Sequence, residues 1–315
     1  SNGIQTNTFT LDFQAFKPPL SSKQAYDLIS HVPVTCTGLL LTNAIGDTMV
    51  GAIRGVIEWV VKAKEVKEII FFNCRVGDDG KGRMIGLQLV NGLTNSNCTE
   101  TIEHFYMTNT DLIIPGNISD LAPLVFKKMK KMKLFYITDE SNRTLTTLSK
   151  GRHTQAFRVD FSAYDHPLSS KQAYDLISQI PITCTHLHLS NAVDSETTIG
   201  VVRGMVGWLR NAREVKELML FDCNVGEGED GRVIGSELAN ELMESSCTSA
   251  LEYFHVRNTD MIVSGNVSQW ASALRQMKNL MEFKCLGNRG SLSDDDVNIL
   301  INAARESGAF ACFNE

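Results

Sequence analysis

The chain has 315 residues, 43% hydrophobic and 21% charged, with 30 Lys and Arg against 36 Asp and Glu for a net charge of −6. This composition excludes disordered, collagen-like and mucin-like chains, and the acidic excess argues against a nucleic-acid partner. No run of about 18 apolar residues occurs, so no membrane insertion is expected, and the opening residues lack the apolar core of a secretion signal.

Taken in chain order, the sequence announces short strands of one kind. A nine-residue template, apolar at positions 1, 4 and 6, matches weakly from Thr8 (Leu11, Phe13), then at Cys36/Leu39/Leu41, Val66/Ile69/Phe71, Ile102/Phe105/Met107 and Met132/Phe135/Ile137. A second weak copy starts at Ala156 (Val159, Phe161), followed by Cys184/Leu187/Leu189, Val215/Leu218/Leu220, Leu251/Phe254/Val256 and Leu280/Phe283/Cys285. Polar or Gly-bearing residues follow each strand, then a helical stretch. Ser21 or Ser22 can cap a helix with Ala25, Leu28 and Ile29 on one face; Val56, Trp59 and Val60 do the same in the next unit.

The two halves are copies. Leu20–Ser30 and Leu168–Ser178 both read LSSKQAYDLIS, and Cys36, Trp59, Cys74, Cys98 and Asn117 answer Cys184, Trp208, Cys223, Cys247 and Asn266. The chain is an internal tandem duplication, with residues 8–155 and 156–315 each supplying five units of one continuous domain. A strand and helix every 28–36 residues cannot bury its apolar side alone, and stacking such units makes a continuous core.

The strands LEYFHVRNT (Leu251–Thr259), VKELMLFDC (Val215–Cys223), VKEIIFFNC (Val66–Cys74) and LMEFKCLGN (Leu280–Asn288) resemble the leucine-rich repeat L-x-x-L-x-L-x-x-N/C. The long helical units are similar to its ribonuclease-inhibitor-like subclass and to the repeat region of Nod-like receptors. That resemblance implies an α/β solenoid, a horseshoe of about ten strand–helix units with a parallel sheet on its concave face. It implies a protein–protein recognition module in innate immune sensing or regulation, or a freestanding ribonuclease-inhibitor-like inhibitor, with no enzyme activity and no cofactor. Position 9 carries the family's Asn or Cys only at Cys74, Cys223 and Asn288; Asn recurs one place earlier, at Asn43, Asn73, Asn109, Asn191 and Asn258.

Eight cysteines without Cys-rich caps point to buried free thiols and a cytoplasmic, reducing setting. Asn97, Asn117, Asn142 and Asn266 lie in Asn-x-Ser/Thr motifs that a secreted chain would offer for glycosylation.

Three groups invite other chemistry. The loop Gly77–Gly82 holds a Gly-Lys pair, but Arg75 stands where a phosphate-binding loop needs its first glycine, and Gly82 where it needs Ser or Thr. An inserted turn between strand and helix is expected there. His186, His188 and His255 fall at outward positions near Glu217, and as a cluster they would serve a metal-dependent enzyme; no metal is expected. Five lysines in Lys127–Lys133 read as a solvated helix end.

Position 5 of the template points outward, and the first half fills it with Leu40, Ile70, Tyr106 and Tyr136, flanked by Phe72 at position 7 and Leu134 at position 3. The second half has Asp160, His188, Met219, His255 and Lys284 at position 5. A contiguous apolar patch of that size on adjacent strands predicts a partner-binding site, for another protein or for a second copy in a homodimer.

Overall fold

A computed structural model describes residues 7–77, 79–112, 128–129, 131–138, 144–150, 155–163, 167–192, 194–226, 229–287 and 292–314. The chain divides into two compact units, Ser1–Lys150 and Gly151–Glu315. Both are built from strands that alternate buried and outward residues, joined by helices. No described helix is long and apolar enough to cross a membrane.

In the first unit the strands β1 (Thr8–Asp12), β2 (Gly38–Thr42), β3 (Glu68–Phe72), β4 (His104–Thr108) and β5 (Leu134–Thr138) pair in sequence order, all parallel. A strand the template does not contain, β6 (Thr144–Lys150), runs antiparallel to β5. Helices α1 (Ser22–Ser30), α2 (Asp47–Lys62) and α3 (Asp79–Thr94) form crossovers between the first four strands, since parallel neighbours cannot be joined by a tight hairpin.

The second unit repeats the plan with β7 (Gln155–Asp160), β8 (His186–Ser190), β9 (Glu217–Phe221), β10 (Tyr253–Arg257), β11 (Glu282–Leu286) and β12 (Phe310–Asn314), six parallel strands in sequence order. Its crossovers are α4 (Ser170–Ser178), α5 (Ser195–Leu209), α6 (Glu229–Glu244), α7 (Val267–Gln276) and α8 (Asp294–Glu306). The expectation of five strands per half therefore falls one short in each unit, at β6 and β12.

Positions 4 and 6 carry the core. Leu39, Leu41, Ile69, Phe71, Phe105, Met107, Leu187, Leu189, Leu218 and Leu220 are fully buried, as are Trp59 and Trp270 on the helices, with Trp208 nearly so. Fully burying one such side chain is worth about 1.5–3 kcal/mol. The two weak template copies need a correction. Phe9 and Leu11 pair with Leu39 and Leu41, and Phe157 and Val159 with Leu187 and Leu189. The first unit of each half therefore starts two residues earlier than the pattern suggests, and Arg158 rather than Asp160 sits beside His188 at position 5.

Identical sequence gives identical caps. Ser21 and Ser169 each accept a backbone N–H from the third helical residue, Gln24 or Gln172, whose side chain returns the bond. The helices behind them then pack closely. A Cβ on Gly51 would overlap the Ser22 carbonyl, and one on Gly200 that of Ser170, so these positions of α2 and α5 admit glycine alone.

The Gly77–Gly82 segment departs from the expected turn: α3 already begins at Asp79, so Gly80, Lys81 and Gly82 lie in its first turn. Asp111 explains the geometry, accepting the backbone N–H groups of Val76 and Gly77 at 2.7–2.9 Å. A Cβ on Gly82 would come within 2.7 Å of the Asp111 carbonyl oxygen. Asp260 holds Val225 and Gly226 in the same way. Of the five lysines in the basic run, Lys127 and Lys130 lie outside the described residues. Lys128 donates to the Thr94 carbonyl at 2.7 Å, and Lys133 pairs with Glu103.

The recurrent asparagines at position 8 define the turn after the strand. Asn43, Asn73, Asn109, Asn191 and Asn258 all have φ between 48° and 60°, as does Asp222, the left-handed region that Asn tolerates better than most side chains. Their amides link neighbouring turns: Asn109 donates to Asn73 at 2.9 Å, Asn73 to Asn43 at 2.5 Å, and Asn43 to Asp12 at 2.9 Å. In the second unit Asn191 donates to Asp160 at 2.8 Å and Asn258 to Asp222 at 2.7 Å. Gly287 occupies the same position in β11 (φ 70°), where a Cβ would collide with the Asn258 side-chain oxygen.

All eight cysteines are free thiols and seven are buried. Cys74 and Cys223 lie beneath the turns, each directed at the carbonyl two residues back, at 3.4 and 3.3 Å. Burial pushes their thiols up to about 11 and about 12. Of the four glycosylation motifs, Asn266 is fully buried and donates to the Arg232 and Met261 carbonyls, so its amide is inaccessible in the fold. Asn97 is exposed, and Asn117 and Asn142 fall outside the described residues.

Two outcomes are expected. Asn73→Ala should lower the unfolding free energy by about 2 kcal/mol and Asn73→Gly by about 1 kcal/mol in urea denaturation, because glycine keeps the left-handed backbone and loses only the amide bonds; equal losses would remove the backbone's share. Alkylation of unfolded, unreduced protein should modify all eight thiols by intact mass, and fewer would mean disulfides that this fold does not contain.

Candidate binding surface

Strand alternation places positions 3, 5 and 7 on the face of each sheet away from the buried side chains. In the first unit the position-5 residues stand directly opposite one another in register, Leu40 beside Ile70, Ile70 beside Tyr106, and Tyr106 beside Tyr136. Neighbouring strands are about 4.8 Å apart, so these four side chains form one unbroken row. All four are half-buried, and Leu134 at position 3 of β5 is too. Phe72, at position 7 of β3, is 50% exposed. The structure thus brings the six sequence-predicted residues onto one face, with the row at the centre and Phe72 and Leu134 on opposite flanks.

The row has a polar border. Glu68 and His104 pair across β3 and β4 at 3.9 Å, and the His104 and Tyr106 rings approach to 6.3 Å. Burial, and then the Glu68 carboxylate, raise the Tyr106 phenol above its ordinary value, so it meets a partner as a neutral hydroxyl. A separate open cavity of about 390 Å³ lies in the same unit, lined mainly by Phe13, Phe16, Pro18, Pro19 and Ile45. The sequence pattern gave no sign of it, because its walls come from the irregular segment after β1.

The corresponding face of the second unit is charged. Position 5 runs Arg158, His188, Met219, His255, Lys284 and Cys312 across six strands. Glu217 lies 3.5 Å from His186 Nε2 and 3.0 Å from His188 Nε2. The second contact is a close approach without hydrogen-bond alignment, since that nitrogen has no hydrogen-bond partner. His255 turns instead to Glu282, at 2.9 Å, which also takes Lys284 at 2.9 Å. The three histidines thus divide between two carboxylates on different strands. Among the described residues no three His, Cys, Asp or Glu side chains gather in a metal-ligating group. His153 and His166 lie outside the described residues.

Burial holds both His188 and His255 below the ordinary histidine value, outweighing the attraction of Glu217 and Glu282. Each is therefore neutral in the fold at a pH where the unfolded chain is already taking up protons.

No family model matches this chain, and no curated protein matches it.

The sign of the pH dependence follows. With both folded values below the ordinary histidine value of about 6.5, stability is complete above that pH and falls as acid protonates the unfolded chain first. The melting temperature should decline between about pH 7 and pH 5, before carboxylate protonation contributes. His188→Gln with His255→Gln should flatten that limb in scanning calorimetry; an unchanged slope would assign the decline to other groups.

Proposed function

We propose that this chain is a leucine-rich repeat protein of the ribonuclease-inhibitor-like subclass, a solenoid that recognises a protein partner through the concave face of its first half. The parallel order of the strands, the helical crossovers and the left-handed turn at position 8 support the repeat reading. The observation that carries the functional reading is the row Leu40–Ile70–Tyr106–Tyr136, with Phe72 half exposed beside it, on a face whose copy in the second unit is charged. Aromatic and aliphatic side chains held rigid on a sheet suit the centre of a protein interface, where a few such anchors dominate affinity. The reading is one of recognition and not of catalysis. Eight free thiols favour a cytoplasmic setting, and the resemblance to Nod-like receptor repeats suggests innate immune sensing or regulation.

Affinity capture from the source tissue tests this. The wild type should retain a protein that Ile70→Asp with Tyr106→Asp loses by about tenfold or more, while Arg158→Gln on the second unit retains it. Light scattering on the same variants identifies the occupant as a second copy if a dimer forms and both aspartates dissolve it. Capture indifferent to both substitutions would place recognition on another surface.

A further inference from the structure

The open cavity of the first unit, about 390 Å³, is independent of the outward row. Its walls belong to the segment after β1, to the turn after β2 with the start of α2, and to Asn73 after β3. It therefore lies between three successive units and not on the outer side of β1. The volume falls within the range of small-molecule sites and equals about a dozen water molecules at roughly 30 Å³ each. Phe13, Phe16, Pro18, Pro19 and Ile45 give it apolar sides, four of them rings. Phe13 is buried and Ile45 is 62% exposed, so the first is fixed backing and the second an open lip.

The amides and the charge that line it are donors. The side-chain oxygens of Asn43 and Asn73 are already taken, by Asn73 and Asn109. Each amide nitrogen spends one hydrogen, on Asp12 and on Asn43, and carries two, so one N–H of each is left over. Lys17 bears the only formal charge on the walls, and among the described residues it has no ion-pair partner. Asp12 and Asp47 adjoin lining residues in sequence but are not walls, and both are engaged. Asp12 accepts from Asn43 and from the Gln14 N–H, and Asp47 pairs with Lys81 at 2.8 Å. The second half supplies a contrast. Phe13 and Pro19 recur there as Phe161 and Pro167, but Lys17 and Asn73 are answered by Asp165 and Asp222. The copy keeps apolar residues and reverses the charge that would receive an anion.

We propose that this cavity binds a small aromatic monocarboxylate. Its ring packs against Phe16, Pro19 and Ile45, and its carboxylate turns to Lys17 and to the spare amide hydrogens of Asn43 and Asn73. Hydrogen bonds to an ionised acceptor are stronger than neutral ones, so donors of this kind select an anion. A second charge on the ligand would lie against the apolar sides without a partner, which is costly. A cation would meet the Lys17 ammonium. The walls thus call for one negative group on a flat apolar body.

2-Naphthoate, with about a dozen non-hydrogen atoms, is a probe of this size. Titration followed by ligand-detected NMR should give a dissociation constant of about 0.1–1 mM, the range such a ligand reaches at ordinary efficiency. 2-Naphthamide, of the same shape without the charge, should bind about threefold more weakly, and added salt should weaken the naphthoate alone. Lys17→Gln should cost about threefold, as loss of an exposed ion pair does. Lys17→Asp, the residue of the second half, and Ile45→Asp on the lip should each cost about tenfold, with circular dichroism confirming that each variant folds. Ile70→Asp with Tyr106→Asp should leave binding intact, which separates this site from the outward row. Equal affinity for naphthoate and naphthamide overturns the proposal, as does naphthoate binding that ignores Lys17→Gln, Lys17→Asp and Ile45→Asp, or no binding at all in the millimolar range. A peptide ending in phenylalanine that binds through the same residues, about tenfold more tightly than naphthoate, would make the occupant a chain end and overturn it as well.

Discussion

Seven of the parallel strands, β2–β4 and β8–β11, hand their chain to a crossover at the same point, and the left-handed residue at position 8 does this. Its φ of 48–70° ends the strand and turns the backbone toward the helix side. The next unit can then begin in register, so the buried side chains at positions 4 and 6 line up from strand to strand. The side-chain amides make the turns mutually dependent, since Asn73 both donates to Asn43 and accepts from Asn109. Loss of one turn would loosen its neighbours on both sides. Cys74 and Cys223, one residue later, fill the space beneath the turn with a small apolar group whose S–H points at a carbonyl.

Against this shared frame the two halves differ where they meet solvent. The core positions, the capping boxes at Ser21 and Ser169, and the glycines at 51 and 200 are the same in both. The outward rows are not: Leu40, Ile70, Tyr106 and Tyr136 on one side, Arg158, His188, Met219, His255 and Lys284 on the other. Outward positions of a strand carry little of the packing energy, so they can change without disturbing the fold. Function in a duplicated chain therefore diverges first at such rows.

Much of this could be read from the residues. The apolar period located ten strands because positions 4 and 6 must be buried in every one. It missed β6 and β12, which no full template copy covers, and it slipped by two residues at β1 and β7. In those strands Phe9/Leu11 and Phe157/Val159 share their alternation with Phe13 and Phe161, so periodicity alone accepts either phase. The 3-10 turns that follow, where Asp12 accepts the Gln14 backbone N–H and Asp160 that of Ser162, replace the usual Asn turn and explain the slip. The first-unit row was legible because outward apolar residues break the alternation of a half-exposed sheet. The pairing of His255 with Glu282 was not, since it depends on rotamers and on which neighbouring strand offers a carboxylate.

The thiols give the chain an uneven chemistry. Burial pushes Cys184 and Cys223 up to about 12 and Cys74 up to about 11. Near neutral pH, on the order of one in ten thousand of these groups or fewer is thiolate. Cys36, Cys98, Cys247 and Cys285 are buried as well, and Cys312 alone is partly exposed. Thiol-directed electrophiles that reach the folded protein will therefore find a single accessible thiol, so eight cysteines behave as one addressable position while the other seven act as apolar filling.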